Sequence, residues 1–431
     1  MLNDPRSHGL WEQTAPAAPT TRKLSGELNV EVAVIGGGFT GMSAALHLAQ
    51  TGRRVAVIEA VEIGFGAAGR NVGLVNAGMW VMPEILLRTL PAPYGDRLLN
   101  LLGHAPKLVF DIVRDHGIRC EVTPAGTLHC AYGQSGLAEI AERARQWQAR
   151  GADVELLDAA KASALLGTEK YAGALLDRRA GTIQPLAYVR GLAMAAQAAG
   201  AQLFTQSPVV SVERNGDGWQ IRTDSGLVTA DWVILSTDAY GTGPGRAARQ
   251  EQVPLPYFNV ATRPLSAGMR AKILPERQGA WDTQTVMTSF RMDRAGRLVF
   301  GSIGALRGTG AAVHRAWAKR ALRRLFPGLG PEIDNVGFEA EWYGTIGMTA
   351  DNLPRFHSYG PRMIGFSGYN GRGIAPGTTF GRLLASYVQG EIGDGDLPLP
   401  VTPVEAAPFR GAKQLVYEVG AQAAHFVADR M

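Results

Sequence analysis

Charge is in short supply in this sequence: Asp, Glu, Lys and Arg make up 19% of 431 residues, below the roughly 25% usual for soluble domains. With 46% hydrophobic residues, that balance excludes a disordered chain and leaves enough apolar matter for two domains. No Lys/Arg run stands in a tail and the formal net charge is only +5, so nucleic acid is not an expected partner. The densest basic stretch, Arg315 to Arg324, alternates with Trp317, Ala321 and Leu322 at helical spacing, which predicts an amphipathic helix with one solvated face. Cysteine is scarce as well. Cys120 and Cys130 are the two present; a hairpin around Pro124 to Gly126 could bring them together, but free buried thiols in a reducing compartment are the expectation. The eight histidines form no H-x-x-H or H-x-x-x-H pair, so no metal site is expected. A G-x-S-x-G elbow is missing, which leaves hydrolase chemistry without support.

Long apolar runs are also missing. The longest candidate, Val30 to Ala49, is broken by Glu31, Gly36 to Gly38 and His47, and falls short of the ~20 uninterrupted residues of a membrane span. Residues 1–25 lack the apolar stretch of a signal peptide. A cytoplasmic protein with no integral membrane segment is therefore expected.

Glycine, in contrast, is abundant, with 54 residues, and it punctuates the chain where backbone must turn or approach something closely. From Val30 the sequence reads as strand, glycine turn, helix with Met42, Ala45, Leu46 and Ala49 on one face, a stop at Gly52, and a strand from Val55 to Ile58. The pattern changes near residue 105 to helices and short strands, returns with a helix from Pro185 and strands from Val209 to Ser236, and departs again into a meander. These shifts predict an extended arm over 1–28, a discontinuous nucleotide-binding domain over 29–104, 181–245 and 337–431, and a second domain over 105–180 and 246–336.

The string "VAVIGGGFTG" holds G-x-G-x-x-G as Gly36, Gly38 and Gly41 between the strand and the helix. The first glycine permits the tight turn, the second lets backbone approach a pyrophosphate, and the third lets helix pack on sheet. The helix N-terminus adds free N–H groups and positive dipole. Glu59 closes the second strand, where an acidic side chain receives ribose hydroxyls and repels a 2′-phosphate. These features define a dinucleotide site without separating FAD from NAD. Three further segments point to FAD. In "GFGAAGRNVG", small residues such as Gly66, Ala67 and Gly73 would let backbone, Arg70 and Asn71 reach the cofactor's middle and ring. "VILSTDAY", with Thr237, returns to the same sheet, and "GFSGYNGRGI" opens a helix whose N-terminus can stabilise negative charge on a reduced flavin.

Together "GGGFTG", "GFGAAGRNVG", "AGTIQPLAYVRGLA", "STDAY" and "GYNGRGIAPGTTFGRLLA" resemble the D-amino-acid-oxidase superfamily, in particular its gamma-glutamylputrescine-oxidase-like branch, from about Leu10 to Tyr417. The resemblance implies an α/β and α+β fold, with an FAD-binding Rossmann-like domain and an interleaved antiparallel sheet for the substrate. It implies FAD-dependent oxidation of a C–N bond in a small amine or amino acid, by hydride transfer to flavin N5 and hydrolysis of the imine, with oxygen or another acceptor taking the electrons. Carried over by position, Gly36, Gly38, Phe39, Thr40, Gly41, Glu59 and Ala60 would hold the ADP half. Val209 would touch the adenine through its backbone. Arg70, Asn71 and Gly73 would follow the pyrophosphate and flavin, and Gly371, Arg372, Gly373 and Ile374 would border the ring.

Two departures bear on the substrate. Simple amino-acid oxidases of the superfamily show Trp-x-Gly-x-Arg-Pro-x-Thr-x-Asp, with the arginine on the substrate carboxylate; here the frame reads Trp342, Gly344, Ile346, Gly347, Thr349 and Asp351. Either Arg291 or Arg372 replaces that anchor, or the substrate is an amine without a carboxylate at its reacting end; the amine reading is favoured. No cysteine lies there for a thioether to flavin, so noncovalent FAD is expected. Trp342, Tyr369 and Asn370 are candidate pocket residues beside Arg291, and no catalytic base is assigned. The alternatives are a hydroxy-acid-oxidising flavoenzyme and an FAD subunit of a heteromeric amine dehydrogenase.

Overall fold

The computed structural model describes residues 8–327 and 338–428. The apolar run Val30–Ile35 lies within the strand Gly26–Ile35, which pairs in parallel with Val55–Ile58 on one side and Gly226–Leu235 on the other. Buried on both faces, it forms the centre of a sheet ordered Arg355–Gly360, Met363–Ser367, Gly226–Leu235, Gly26–Ile35, Val55–Ile58 and Gln202–Phe204. Continuous Val, Ile and Ala content is what a covered parallel sheet requires. A ribbon of Val209–Asn215 and Gly218–Thr223 continues from Gly226–Leu235 by antiparallel pairing. Helices Phe39–Gln50, Pro185–Ala198 and Ile374–Gln389 pack together beside this sheet.

A second sheet runs Phe338–Met348, Val253–Thr262, Leu298–Ile303, Thr288–Met292, Gly279–Asp282, Thr127–Cys130, Gly173–Asp177 and Val154–Asp158. Its pairings are antiparallel apart from Gly279–Asp282 against Thr127–Cys130. A separate core of Phe258, Phe290, Phe300, Trp317 and Leu322 lies under it. The basic amphipathic stretch is the helix Gly308–Leu325, with Trp317, Ala321 and Leu322 inward.

Four features depart from the sequence reading. The arm is not simply extended: Leu10–Thr14 is helical with Leu10 and Trp11 wholly buried, and strand begins at Gly26. The tract 337–431 divides, because Phe338–Met348 pairs with Val253–Thr262 and the helix Arg410–Val427 packs on that strand and on Gly308–Leu325, all on the second-sheet side. The boundary between 336 and 337 lies outside the described residues. Helix Ala105–Asp115, read as part of the second domain, packs on Ile374–Gln389. Finally, Thr127–Cys130 pairs with strands from elsewhere rather than closing a hairpin on Cys120, and both cysteines are free and buried.

Candidate active site

The central strand delivers the chain to the glycine turn. Gly36 has φ +113°, and a Cβ there would lie 2.9 Å from Ser236 O. At Gly41 a methyl group would collide with the carbonyl of Gly36, so this glycine serves helix-on-strand contact rather than lining space. Gly38, by contrast, has only Ala68 Cβ near the position its side chain would take, at 3.9 Å. The next helix starts at Phe39 with no side-chain cap, so its first N–H groups remain available to an acceptor. Glu59 closes the neighbouring strand; its carboxylate accepts from Gly37 N at 2.7 Å and Val61 N at 3.0 Å, and burial pushes its pKa upward.

A cavity extends from this turn to the second sheet. At the turn it is lined by Gly36, Gly38, Phe39, Thr40, Glu59 and Ala60, with Val209 and Thr237 beside them. Along its middle lie Gly66, Ala67, Arg70 and Asn71. Tyr369, Asn370, Gly371, Arg372, Gly373 and Ile374 line it as well. Segments separated by more than three hundred residues of chain thus share one space, and Thr40 Oγ1 meets Tyr369 Oη directly at 2.6 Å. Several lining side chains keep buried polar atoms without a partner among the described residues: Arg70 Nη2, Thr237 Oγ1 and Arg372 Nε.

Arg70 is buried, donates from Nε to Phe65 O at 3.0 Å and lies over the rings of Phe65 and Tyr240. Asn71 bonds back to Ala67 O and Ala68 O and accepts from Gly73 N, shaping the loop. Asn370, at φ +51°, spends its amide on its own turn: Oδ1 accepts from Thr349 N at 2.8 Å and Nδ2 donates to Gly368 O at 2.6 Å. Arg372 donates to Ala77 O at 2.7 Å, and its guanidinium sits 5.2 Å from the ring centre of Trp80 and 5.0 Å from that of Trp281. Burial, helped by the nearby Arg143 guanidinium, pushes its pKa down to about 9.

Two substrate candidates are elsewhere. Arg291 is buried behind the loop, donates to Ile183 O and stands 4.0 Å from Glu121; desolvation holds its pKa down, to about 10. Trp342 has no exposed surface and donates from Nε1 to Arg70 O at 2.9 Å, so it supports the loop from the rear instead of walling the cavity. Gly73 belongs with them, tight against Ile183 O. The strand period that would turn Trp342 toward a ligand turns it to the core because Leu10–Thr14 covers that side. The sequence reading also missed Trp80, Trp281, Tyr257 and Ser289 in the lining. Aromatics in a short strand or loop carry no signal that separates them from core residues.

A strand–glycine turn–helix unit sharing its cavity with a glycine-rich helix start and an antiparallel sheet defines an oxidoreductase of the dinucleotide-binding, two-sheet class. Residues 31–387 match the family of FAD dependent oxidoreductases known as DAO, and the chain belongs to that family. It is therefore an FAD-dependent oxidoreductase, and its relatives act on amines and amino acids. The gamma-glutamylputrescine oxidoreductase of Escherichia coli K12 is 28% identical over 373 residues, 85% of each chain. A probable oxidoreductase OrdL of Haemophilus influenzae is 29% identical over 370 residues, 84% of each. Among solved structures, glycine oxidase from Geobacillus kaustophilus superposes with a TM-score of 0.68 at 21% identity, over 89% of this chain and 98% of its own, and shares the fold.

Proposed function

We propose that the cavity seats FAD along its length and that the protein oxidises a C–N bond in a small amine bearing an anionic group away from the reacting carbon, a gamma-glutamylputrescine-like substrate. Bound FAD supplies the two-electron acceptor for the carbon beside nitrogen, and the imine product hydrolyses. Gly36, Gly38 and the helix start at Phe39 would receive the pyrophosphate, and Glu59 the ribose. Arg70 and Asn71 would lie along the middle, and Gly371, Gly373 and Ile374 at the ring. The room left beside Gly38 by its missing side chain and the Arg70 Nη2 and Thr237 Oγ1 atoms without a partner among the described residues fit such an acceptor-rich guest.

The observation that carries the substrate reading is Arg372. A buried guanidinium with no carboxylate hydrogen-bonded to it among the described residues, beside the mutually perpendicular rings of Trp80 and Trp281, is costly unless an anion joins it. The same aromatic walls keep water from the reacting atoms. The frame from Trp342 to Asp351 lacks an arginine, which supports an amine with no carboxylate at the oxidised carbon. The similarity to gamma-glutamylputrescine oxidoreductase supports the same class. Free buried cysteines suit a reducing cytoplasm, and no described helix is long and apolar enough to cross a membrane.

The test is an anaerobic panel of acidic amines, neutral amines, amino acids and 2-hydroxy acids, read by bleaching of the flavin band and followed by peroxide detection in air. Acidic amines should bleach fastest. Preferential bleaching by 2-hydroxy acids would replace this reading with the hydroxy-acid one. No bleaching until a second chain is added would make the protein a subunit of an amine dehydrogenase.

A further inference from the structure

The segment His8–Thr14 precedes both sheets, yet its side chains reach the loop Gly64–Gly73, whose other face lines the cavity. Trp11 is fully buried and donates from Nε1 to Asn71 O at 2.8 Å. The preceding carbonyl, Arg70 O, accepts from Trp342 Nε1 at 2.9 Å and Asn259 Nδ2 at 3.2 Å. The two indoles meet edge to face at 5.3 Å. Gly9, at φ +52°, lies so close to Trp342 that any side chain would strike it. At the loop's other end His8 Nε2 is 3.2 Å from Gly64 O.

The segment is itself anchored from behind. Arg190 Nη2 donates to both carboxylate oxygens of Glu12, at 2.8 and 3.0 Å, and Gln184 Nε2 donates to Trp11 O at 2.9 Å. Peptide groups are planar, so holding two consecutive carbonyl oxygens fixes the planes on either side of Asn71. Those planes set the direction in which Arg70, Asn71 and Val72 present themselves to the cavity. An apolar cover would need only the ring of Trp11; its aimed N–H gives this residue a second task.

We propose that Trp11, upstream of the dinucleotide motif, is a positioning residue of the cofactor site: it clasps the Gly64–Gly73 loop so that Arg70 and Asn71 meet the flavin. This rests on FAD occupying the cavity as proposed above. Trp11→Phe keeps an aromatic ring and removes the donor. The FAD dissociation constant of the holoenzyme should rise about tenfold, the worth of one hydrogen bond to a buried acceptor. The visible circular dichroism of bound flavin should change, and amide exchange over residues 70–73 should quicken in the apoprotein. Thr21→Val, which breaks the 2.7 Å Thr21–Thr205 contact farther along the same segment, should leave all three readouts at their wild-type values.

A lower melting temperature for Trp11→Phe with unchanged FAD affinity and flavin dichroism would reduce Trp11 to a core residue and overturn the proposal. An equal loss of FAD in Thr21→Val would do so too. If Trp11→Phe does not fold, Glu12→Gln, which weakens the rear anchor, should move the same readouts in the same direction, and no movement counts against the clasp. A wild-type protein that takes up no FAD would defeat the seating instead; exchange over residues 70–73 still reads the clasp by itself.

Discussion

Arg372 shows how much chemistry one side chain draws from its surroundings. The perpendicular rings of Trp80 and Trp281 shield its charge without neutralising it, and Arg143 adds repulsion. A carboxylate placed there gains a charge-assisted bond and relieves a buried cation. Arg372→Met should therefore weaken binding of acidic amines roughly 10- to 100-fold, with a smaller change for neutral amines, as read from KM and from flavin spectral shifts caused by carboxylate inhibitors. Arg372→Lys should recover part of the loss, because a point charge replaces a planar fork. Since the free guanidinium has its pKa near 9, affinity for a carboxylate should decline as pH rises through that value, whereas a pH-independent affinity up to pH 10.5 would disconnect the residue from the anion. The family resemblance already assigned Arg372 to the ring border, and the residue does line the cavity. It left Arg291 open as an equal candidate, because only the tertiary packing of Ile183 and Trp11 shows which arginine faces inward.

At the scale of elements, local signals were strongest where backbone geometry demanded particular residues. The glycine turn and the helix opened by the glycine-rich string before Ile374 were both legible for that reason. Strand Phe338–Met348 was not assigned to its sheet, because partner choice is non-local and nothing within those residues names Val253–Thr262. Gly41→Ala tests the turn. Its methyl would meet Gly36 O, overpacking of a kind that costs about 1–3 kcal/mol, so the variant should be purified with less FAD and a lower melting temperature. The terminal helix offers a different test. His425 Nδ1 lies 2.8 Å from His314 Nδ1, and His425 stacks on Trp317. Burial lowers both pKa values, to about 3 for His425 and about 4 for His314. The unfolded chain takes up these protons near pH 6.5 and the folded one does not. Their contribution is thus intact above about pH 6.5 and lost progressively as pH falls toward 4. The urea midpoint should drop over that window, and His314→Leu should flatten part of the drop; an identical slope in the variant would remove the pair from the acid response.

For the whole molecule, the core under the second sheet is separate from the other apolar clusters of the described residues, and the cavity draws its lining from both sheets and from the loops between them. A guest spanning that cavity binds the folded state alone, so saturation with FAD at about a thousand times its dissociation constant should add roughly 4 kcal/mol of stability. The distribution of that gain is the sharper prediction. Residues 65–72 and 369–373 bring most of their length to the cavity from loops and should gain the most protection from amide exchange when FAD is added to the apoprotein. The second core around Phe258, Phe300 and Trp317 lies behind its sheet, and its local openings should change little at low denaturant. Protection spread evenly over that core and the rest of the chain would mean that loss of the cofactor unfolds the chain as one unit, and an unchanged loop 64–73 would mean that the guest lies elsewhere. This division follows from interleaving: the chain crosses between the sheets several times, and the cavity is lined by loops at those crossings, where local opening costs less than opening of a packed core.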